Sequence, residues 1–463
     1  MLVGLHVLLS LISPRFNYGL PLLEKPILLF VGIEITAGVV YLLAVRTTRD
    51  SPLTKRLIVW IFGVGLALRA CMIASTPILE DDYYRYLWDG GVAANGINPY
   101  AYAPGDALEA ADSGAVPPEL HKLAEKSGVV AARVNHPDLR SIYPLTAQAA
   151  FVFAHWLRPW SLTAWRLSLL VIDVATLGIV AAILQAAGLP LALIAIYWWN
   201  PLLVKELFNS GHMDGIPMLF ALGAVLLSIR SRHMTSVAAL ALAAGAKLWP
   251  SMLLPLAVRP LISRPKQLVF AVLLFGLTVC VLFLPVYVSG FGSSSGFVAY
   301  GQRWEMNDAF FMLVSWAVRA FFMLVTLEQT AAPLVARAVV GVLLILWVLW
   351  QSRTLPVHPA DFCDRALLIV AGIFLLSPAQ FPWYYVWLIP FLAIRPRMSL
   401  LLLTVLLPLY YLRFYFVARG WTNVFDYGIV WLEFVPVWCL LVWEWRVGGR
   451  SLAQPRALSE STS

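Results

Sequence analysis

Charged residues are scarce in this chain. Only 13% of its 463 residues are Asp, Glu, Lys or Arg, whereas 60% are hydrophobic and 19 are tryptophan. A soluble protein cannot bury so much apolar surface in its core, so this composition excludes a soluble globular class and is typical of a polytopic membrane protein. The net charge of +8 is explained by loops that face anionic lipid, and it requires no nucleic acid partner.

Cysteine is also rare, with four residues in the chain. Cys71, Cys280 and Cys439 lie in apolar stretches, and Cys363 lies in a predicted cytoplasmic loop. These positions offer no disulfide framework outside the cytoplasm. The chain also lacks a helical repeat of fixed period, which excludes a solenoid.

Long apolar stretches recur along the chain, each near the length needed to cross about 30 Å of hydrocarbon. They lie at Ile27–Val45, Leu57–Ser75, Leu162–Gln185, Leu191–Phe208, Leu268–Val286, Leu334–Trp350, Ala366–Pro378, Leu400–Val417 and Gly428–Trp443. The stretch Leu2–Ile12 is short and no small-residue cleavage site follows it, so we expect a retained span rather than a signal peptide.

Three further apolar segments favour partial or re-entrant helices, because their flanking charges do not fit a full crossing. They are Ile142–Leu157, Met234–Val258 and Phe310–Leu327. The sequence therefore predicts an all-α polytopic integral membrane protein with about 11–13 transmembrane helices.

The distribution of charge predicts the orientation. Lys and Arg cluster in loops that we expect to be cytoplasmic, at 46–56, 230–232, 259–266, 395–397 and 446–456. The segment from Glu80 to Asp138 holds ten acidic residues against four basic ones, so we expect it to face the periplasm or the exterior. The predicted organisation is one transmembrane domain, 1–445, in the inner (plasma) membrane. It has exterior loops at 76–142 and 287–310, and a cytoplasmic tail at 446–463.

The run Glu80-Asp81-Asp82 is the strongest candidate site. It follows an apolar span directly and opens the first exterior loop. An ionised carboxylate at a membrane boundary costs several kcal/mol, so three adjacent ones indicate a site for a cation, a proton or a phosphate-bearing ligand.

Aromatic and turn residues follow the acidic run, from Leu87 to Pro104. Aromatic faces cover the apolar side of a pyranose ring, while Asn, Asp and Arg bind its hydroxyl groups, so this composition suits a sugar. An interfacial aromatic belt explains the tyrosines alone equally well.

A second polar cluster lies at 205–215, between two apolar spans. Asp214 is placed either to bind a ligand or to cap the next helix. Lys205 requires a carboxylate, a phosphate or water, and the simplest structural alternative pairs it with Glu206.

Three strings together resemble one known family: EDDYYRYLWDGGVAANGINPYAYAP, VNHPDLRSIYP and NPLLVKELFNSGHMDGIPM. With WEMNDAFF and SPAQFPWYYVWLIPFL, they make the chain similar to the GT-C superfamily of membrane glycosyltransferases. Within it, the chain resembles bacterial polyprenyl-phosphate-mannose-dependent mannosyltransferases of the glycosyltransferase 87 and alpha-1,6-mannosyltransferase type.

The resemblance implies a GT-C fold and inverting transfer of a hexose, expected to be mannose, from a polyprenyl-phosphate donor to a glycan or glycolipid acceptor outside the cytoplasm. The expected catalytic residues are Asp81, as general base, and Asp82. The expected donor-phosphate ligands are the cations Arg85, Lys205, Arg303 and Arg140. The expected sugar or acceptor ligands are Glu80, Tyr84, Trp88, Asp89, Asn98, Tyr100, His136, Tyr143, His212, Asp214, Trp304 and Glu305.

No cofactor is required by this chemistry, because no nucleotide diphosphate is released. Glu80, Asp82 and His212 are nevertheless a possible ligand set for a divalent cation, Mg²⁺ or Mn²⁺. The expected partners besides donor and acceptor are membrane lipids.

A transporter or flippase of a lipid-linked sugar is the alternative, since interrupted helices and intramembrane charges also serve alternating access. The absence of a two-fold repeat of hydropathy argues against it. Glucose, galactose and arabinose stay open beside mannose, and the acceptor is a glycolipid, a polysaccharide or a protein.

Overall fold

Helices make up 75% of the structure. The computed structural model describes residues 1–49, 51–109, 116–292 and 294–447, and no strand occurs in those ranges. The prediction of a helical polytopic membrane protein is confirmed at this level. The predicted tail, 446–463, lies outside the described residues from 448 onward.

Within the described ranges, seven helices are long and apolar enough to cross a membrane. They are Ile27–Arg49, Lys55–Ile73, Leu162–Ala186, Pro265–Val288, Gln329–Ser352, Met398–Val417 and Thr422–Arg446. The predicted span Leu191–Phe208 is a pair, Leu191–Trp198 and Pro201–Asn209, bent by 52°. Asn200 causes the break, because its side chain caps Leu203 N–H at 3.0 Å and starts a new helix at Pro201.

The predicted 11–13 crossings exceed the seven spans, or eight counting the bent pair. The difference lies in apolar helices shorter than a full span, namely Leu2–Phe16, Leu145–Leu157, Gly215–Ile229, His233–Ala244 and Ala309–Leu324. Three of them fall in the segments predicted to be partial or re-entrant. Another predicted span, Ala366–Pro378, lies in the 18-residue helix Pro359–Leu376.

The spans are buried to different degrees, and the most buried ones come from both halves of the chain. Half of the apolar window of Ile27–Arg49 is buried, and so is half of that of Met398–Val417. By contrast, Pro265–Val288 is 11% buried and Gln329–Ser352 is 22% buried. The latter two therefore lie at the periphery, with most of their apolar surface turned outward.

The two polar loops, 76–142 and 287–310, contact each other. The first contains the helices Tyr83–Ala94, Asp106–Leu108, Pro118–Lys126 and Val129–Ala132, and the second contains Gly296–Arg303. The Arg140 guanidinium donates to the carbonyls of Ser289 (2.5 Å) and Gly290 (3.1 Å). A Cβ on Gly90 would lie 2.5 Å from the Phe151 carbonyl oxygen, so glycine there lets the first helix of the loop pack closely on Leu145–Leu157.

A buried ion pair joins two spans beneath the polar loops. Arg69 Nε donates to Asp173 at 2.5 Å, and both side chains are fully buried. Arg69 therefore does not reach the membrane interface, and Asp173 pairs with it rather than with Arg166, two turns earlier on its own helix. Arg166 instead donates to the carbonyls of Ile73 (2.9 Å), Ser75 (2.8 Å) and Asn209.

The turn at 209–215 holds the start of the first polar loop. The Asn209 amide donates to Ser75 Oγ (2.7 Å) and to the Thr76 carbonyl (2.8 Å), and its oxygen accepts from Ile78 N–H (2.9 Å). These bonds fix the backbone just before Glu80. They explain how the two polar clusters of the sequence come together.

Candidate functional site

A cavity of about 720 Å³ lies between the two polar loops and the helices below them. Its volume falls within the range of about 300–1,000 Å³ found for small-molecule sites. Seven of the predicted site residues line it: Asp81, Asp82, Arg85, His136, Arg140, Tyr143 and Trp304.

Asp81 and Asp82 form the acidic wall, and Asn135 joins them. The Asn135 amide donates a short hydrogen bond to Asp81 and a longer one, 3.3 Å, to Asp82. The loop that carries Asn135 thus folds back on the acidic run. Two adjacent carboxylates at one cavity wall are held by a single amide.

Burial raises the pKa of Asp81 to about 6, and the neighbouring charge of Asp82 adds to the effect, while the Asn135 hydrogen bond opposes it. Burial also raises the pKa of Asp82. At pH 7 the Asp81 carboxylate is mostly ionised, yet it is more basic than an ordinary aspartate. This is the property required of a general base.

Glu80 does not line the cavity. Its side chain is buried, and its Oε1 atom has no hydrogen-bond partner among the described residues. Burial raises the pKa of Glu80 well above its usual range. A buried carboxyl outside the cavity lining is unsuited to sugar or metal binding there.

Two of the predicted phosphate ligands serve the loop backbone. Arg85 lines the cavity, but its guanidinium donates to the carbonyls of Asn135 (3.0 Å), His136 (2.9 Å) and Leu139 (2.9 Å). Arg140 is engaged in the same way with the second polar loop. Three of the five N–H donors of Arg85 and two of those of Arg140 are thus occupied by the fold, and Arg140 Nε is buried without a partner among the described residues.

The other two predicted phosphate ligands are Lys205 and Arg303. Lys205 does not line the cavity and is buried, with its amine donating to Ser210 Oγ (2.9 Å) and Tyr411 Oη and lying 3.4 Å from Glu206. The pairing of Lys205 with Glu206, the simpler prediction, is confirmed. The side chain of Arg303, the fourth predicted phosphate ligand, is not among those that the structure describes.

Lys247 lies in the interrupted stretch Met234–Val258, where the sequence favours contact either with the lipid phosphate or with helix carbonyls freed by Pro250. Its amine lies 2.6 Å from Asp214 Oδ1 and over the rings of Tyr384 (4.0 Å) and Trp387 (5.1 Å), and it lines the cavity. Asp214 itself accepts from Trp387 Nε1 at 2.6 Å. Its side chain makes no capping hydrogen bond, so the capping alternative is wrong.

Arg413 is a further cation at the cavity. Among the described residues, no group accepts a hydrogen bond from its guanidinium, and its Nε atom is buried. A guanidinium is recognised best by the paired oxygens of a carboxylate or a phosphate. An unpartnered one at a cavity wall is therefore a natural anion ligand.

Aromatic rings form another part of the cavity lining. The His136 ring lies 5.0 Å from that of Trp304, and Trp383 stacks on Phe381 at 4.4 Å. The lining also contains apolar side chains, namely Leu248, Phe283, Phe297, Ile373, Phe374 and Phe414. The cavity thus combines polar and apolar groups in one lining.

The other predicted sugar ligands are engaged within the protein. The Asp89 carboxylate accepts from Ser141 Oγ at 2.5 Å, and Tyr100 donates to the Tyr143 carbonyl at 2.6 Å. Trp88 is buried and stacks on Trp160. The same holds for Tyr84, whose hydroxyl accepts from Arg133, for Asn98, whose side chain accepts from Tyr100 N–H, and for Glu305, which pairs with Arg337.

His212 lies behind the acidic wall. It is fully buried, and its ring stacks on Trp383 at 4.2 Å. In the described part of the chain, no three His, Cys, Asp or Glu side chains are arranged to hold a metal ion. Glu80, Asp82 and His212 therefore do not form a metal-ligand set in this structure.

Two cavity residues were not proposed as ligands from the sequence: Asn135 and Arg413. Arg413 carried a usable signal, because a charged residue inside the apolar stretch 400–417 is expensive unless it has a function. Asn135 had none, since its role depends on the fold of the loop.

The chain was compared with protein-family models, curated proteins and solved structures. None of the three comparisons found a match.

Proposed function

We propose that the protein is an inverting membrane glycosyltransferase that uses a polyprenyl-phosphate hexose as donor and a hydroxyl group of a glycan or glycolipid as acceptor. The observation that carries the proposal is the presence of an acidic and a basic side chain in the lining of one cavity. A basic carboxylate, Asp81, and an unpartnered guanidinium, Arg413, line the same 720 Å³ space.

Asp81 acts as the general base in this proposal. It removes the proton from the acceptor hydroxyl as the oxygen attacks the anomeric carbon on the face opposite the phosphate. The new carbon–oxygen bond forms while the bond to the phosphate oxygen breaks. The electron pair leaves with polyprenyl phosphate.

Arg413 and Lys247 meet the leaving phosphate. The charge of the phosphate grows as the bond to the sugar breaks, so fixed cations stabilise the transition state more than the ground state. Lys247 is held in place by Asp214 and by two aromatic rings. Arg413 has its donors free for a bidentate contact.

The apolar side chains of the lining accommodate the first isoprene units. The aromatic rings of the lining, among them Trp304 and Trp383, offer flat faces for the sugar ring. A lining that combines polar and apolar groups matches an amphipathic donor. A fully water-soluble substrate would gain nothing from the apolar groups.

The finer assignments go with this proposal. The fold is of the GT-C type, the membrane is the inner (plasma) membrane, and the cavity opens to the periplasm or exterior. Mannose is the first hexose to test.

The test is transfer by purified protein in detergent, with radiolabelled polyprenyl-phosphate mannose and a mixture of glycolipids and oligosaccharides as acceptors. The parent should label an acceptor, whereas Asp81→Asn should lose at least about 10²-fold in rate, the contribution of a general base. Asp138→Asn is the matched control, because Asp138 is exposed in the same loop and does not line the cavity. Equal transfer by parent and Asp81→Asn would overturn the proposal. Movement of the intact lipid-linked sugar across proteoliposomes without transfer would favour the transporter.

A further inference from the structure

A chain of ionisable side chains runs from the acidic wall into the interior. Asp82 Oδ2 lies 3.8 Å from Nδ1 of His212, and Nε2 of His212 lies 3.5 Å from Oε2 of Glu206. The imidazole is completely buried and so is Glu206, whereas the Asp82 side chain is 31% exposed to the cavity. This series of side chains is thus accessible from the cavity at Asp82 and buried at Glu206.

The imidazole is fixed in orientation. Its backbone N–H donates to the Glu206 carbonyl at 3.0 Å, and its ring stacks on Trp383 with an angle of 13° between the planes. Its two nitrogens consequently point at two different carboxylates. This is the arrangement that a bridging side chain requires.

Neither ring nitrogen has a hydrogen-bond partner among the described residues. Buried polar atoms are normally hydrogen-bonded, so two free nitrogens on one buried ring need an explanation. The separations of 3.5 and 3.8 Å exceed hydrogen-bond length by less than 1 Å. A small shift on ligand binding, or one bridging water, closes both gaps.

Glu206 is equipped to receive a proton. Its carboxylate accepts from Tyr411 Oη (2.6 Å) and Ser210 Oγ (3.3 Å), and the Lys205 amine lies 3.4 Å away. These groups offset part of the cost of an ionised carboxylate in the interior. The π-helical turn Lys205–Asn209 places them there, and such turns are common at functional sites.

The groups around His212 keep its ring neutral. Burial lowers the pKa of His212 well below its usual value, and the cations Lys205 and Lys247 lower it further. The carboxylates that face it are Asp82 and Glu206, and Asp214 is engaged by Lys247. A neutral imidazole has one N–H and one free nitrogen, so it can accept a proton on one side while giving one up on the other.

We propose that His212 and Glu206 relay the proton taken from the acceptor hydroxyl away from the aspartate pair, an inference that rests on the proposed glycosyl transfer. The proton passes from the acceptor oxygen to the aspartate pair and from Asp82 to Nδ1 of His212. The proton on Nε2 moves to Glu206, and it returns to water by the same route after product release. His212 and Glu206 are positioning and relay residues, since neither lines the cavity.

The test is the maximal rate of transfer by His212→Gln and Glu206→Gln, measured in H₂O and D₂O. Both variants should lower kcat about 10-fold or more and leave the donor KM within about twofold, because the cavity lining is unchanged. Each should also change the solvent isotope effect on kcat, which a purely structural defect would not. His155→Gln is the control, since His155 packs on Trp160 and does not line the cavity.

The double variant Asp82→Asn/His212→Gln should be no slower than the slower of its single variants, because residues in one relay are not additive. Each assay is repeated with EDTA. Inactivation of the parent by EDTA would assign the same side chains to a metal ion and overturn the relay.

Asp81→Asn is run beside these variants to separate the two proposals. If Asp81→Asn is inactive while His212→Gln and Glu206→Gln keep the parental kcat and isotope effect, the relay alone is wrong. If Asp81→Asn also keeps the parental rate, the proposed function and the relay are both wrong. Should His212→Gln fail to fold, Glu206→Gln decides.

Discussion

The pH dependence of transfer tests the role of Asp81 most sharply, because two neighbours shift its pKa in opposite directions. Burial and the charge of Asp82 raise this pKa to about 6, and the Asn135 hydrogen bond lowers it. A general base works only when ionised, so activity is full above this pKa and is lost as the pH falls through it. With a pKa of about 6, roughly 91% of the side chains are ionised at pH 7 and about 9% at pH 5, a tenfold loss of rate.

Two substitutions should shift the pH at which half of the activity is lost, and they should shift it in opposite directions. Asp82→Asn removes the neighbouring negative charge, so the midpoint should fall below that of the parent. Asn135→Leu removes the hydrogen bond that favours the carboxylate, so the midpoint should rise. A displacement of one pH unit corresponds to about 1.4 kcal/mol, which is within the reach of one charge-assisted hydrogen bond.

The assay is the maximal transfer rate at saturating donor between pH 5 and pH 8, with protein integrity checked at each pH by gel filtration. Asp138→Asn serves as control and should follow the parent curve. Midpoints that move in the same direction in both variants, or that stay with the parent, would show that Asp81 is not the titrating base.

Three further variants address the cations and the second polar loop. Arg413→Gln should reduce transfer about 10²-fold, as expected for loss of one transition-state donor, whereas Arg419→Gln, outside the cavity lining, should retain the parental rate in the same assay. Lys247→Met leaves Asp214 buried and unpaired, so it should destabilise the protein by about 3–5 kcal/mol in a detergent unfolding series, and adding Asp214→Leu should restore most of that stability without activity. Glu433→Leu removes the buried carboxylate that accepts from the second polar loop at 2.7 Å, so it should cost about 1–3 kcal/mol in the same unfolding series, and Glu433→Gln should cost less.

A result in which Arg419→Gln loses as much activity as Arg413→Gln would remove the specific role of the cavity guanidinium. Full activity of the stabilised Lys247→Met/Asp214→Leu double variant would remove Lys247 from the site.

The membrane class and the acidic run were predictable because both rest on the cost of placing charge beside hydrocarbon. Glu80, Asp81 and Asp82 stand out in an apolar chain without any knowledge of the fold. The sequence did not show that the fold separates them. Glu80 is buried away from the cavity, while its two neighbours line it.

The choice between similar cations was not predictable. Lys205 and Lys247 both interrupt apolar stretches, yet Lys205 is held by Tyr411, a residue 206 positions away along the chain, and Lys247 lines the cavity. Partners this distant in sequence are set by helix packing. The same reason explains why Asp173 pairs with Arg69 on another helix rather than with Arg166 on its own.

Within the described ranges, seven helices are long and apolar enough to cross a membrane, fewer than the 11–13 crossings predicted, because hydropathy does not show where a helix ends. The stretch 191–208 is apolar throughout, but Asn200 and Pro201 divide it into two helices at 52°. Local capping chemistry was present in the sequence and outweighed the apolar length.

The most direct measurement is the chemical fate of a defined donor. Purified protein is incubated with a panel of polyprenyl-phosphate sugars and an acceptor mixture, and the products are identified by mass spectrometry and by the anomeric proton signals in NMR. The proposed function predicts that one sugar is consumed, that free polyprenyl phosphate is released in equal amount, and that the anomeric configuration of the new bond is inverted. Consumption of none of the donors, or retention of configuration, would contradict it.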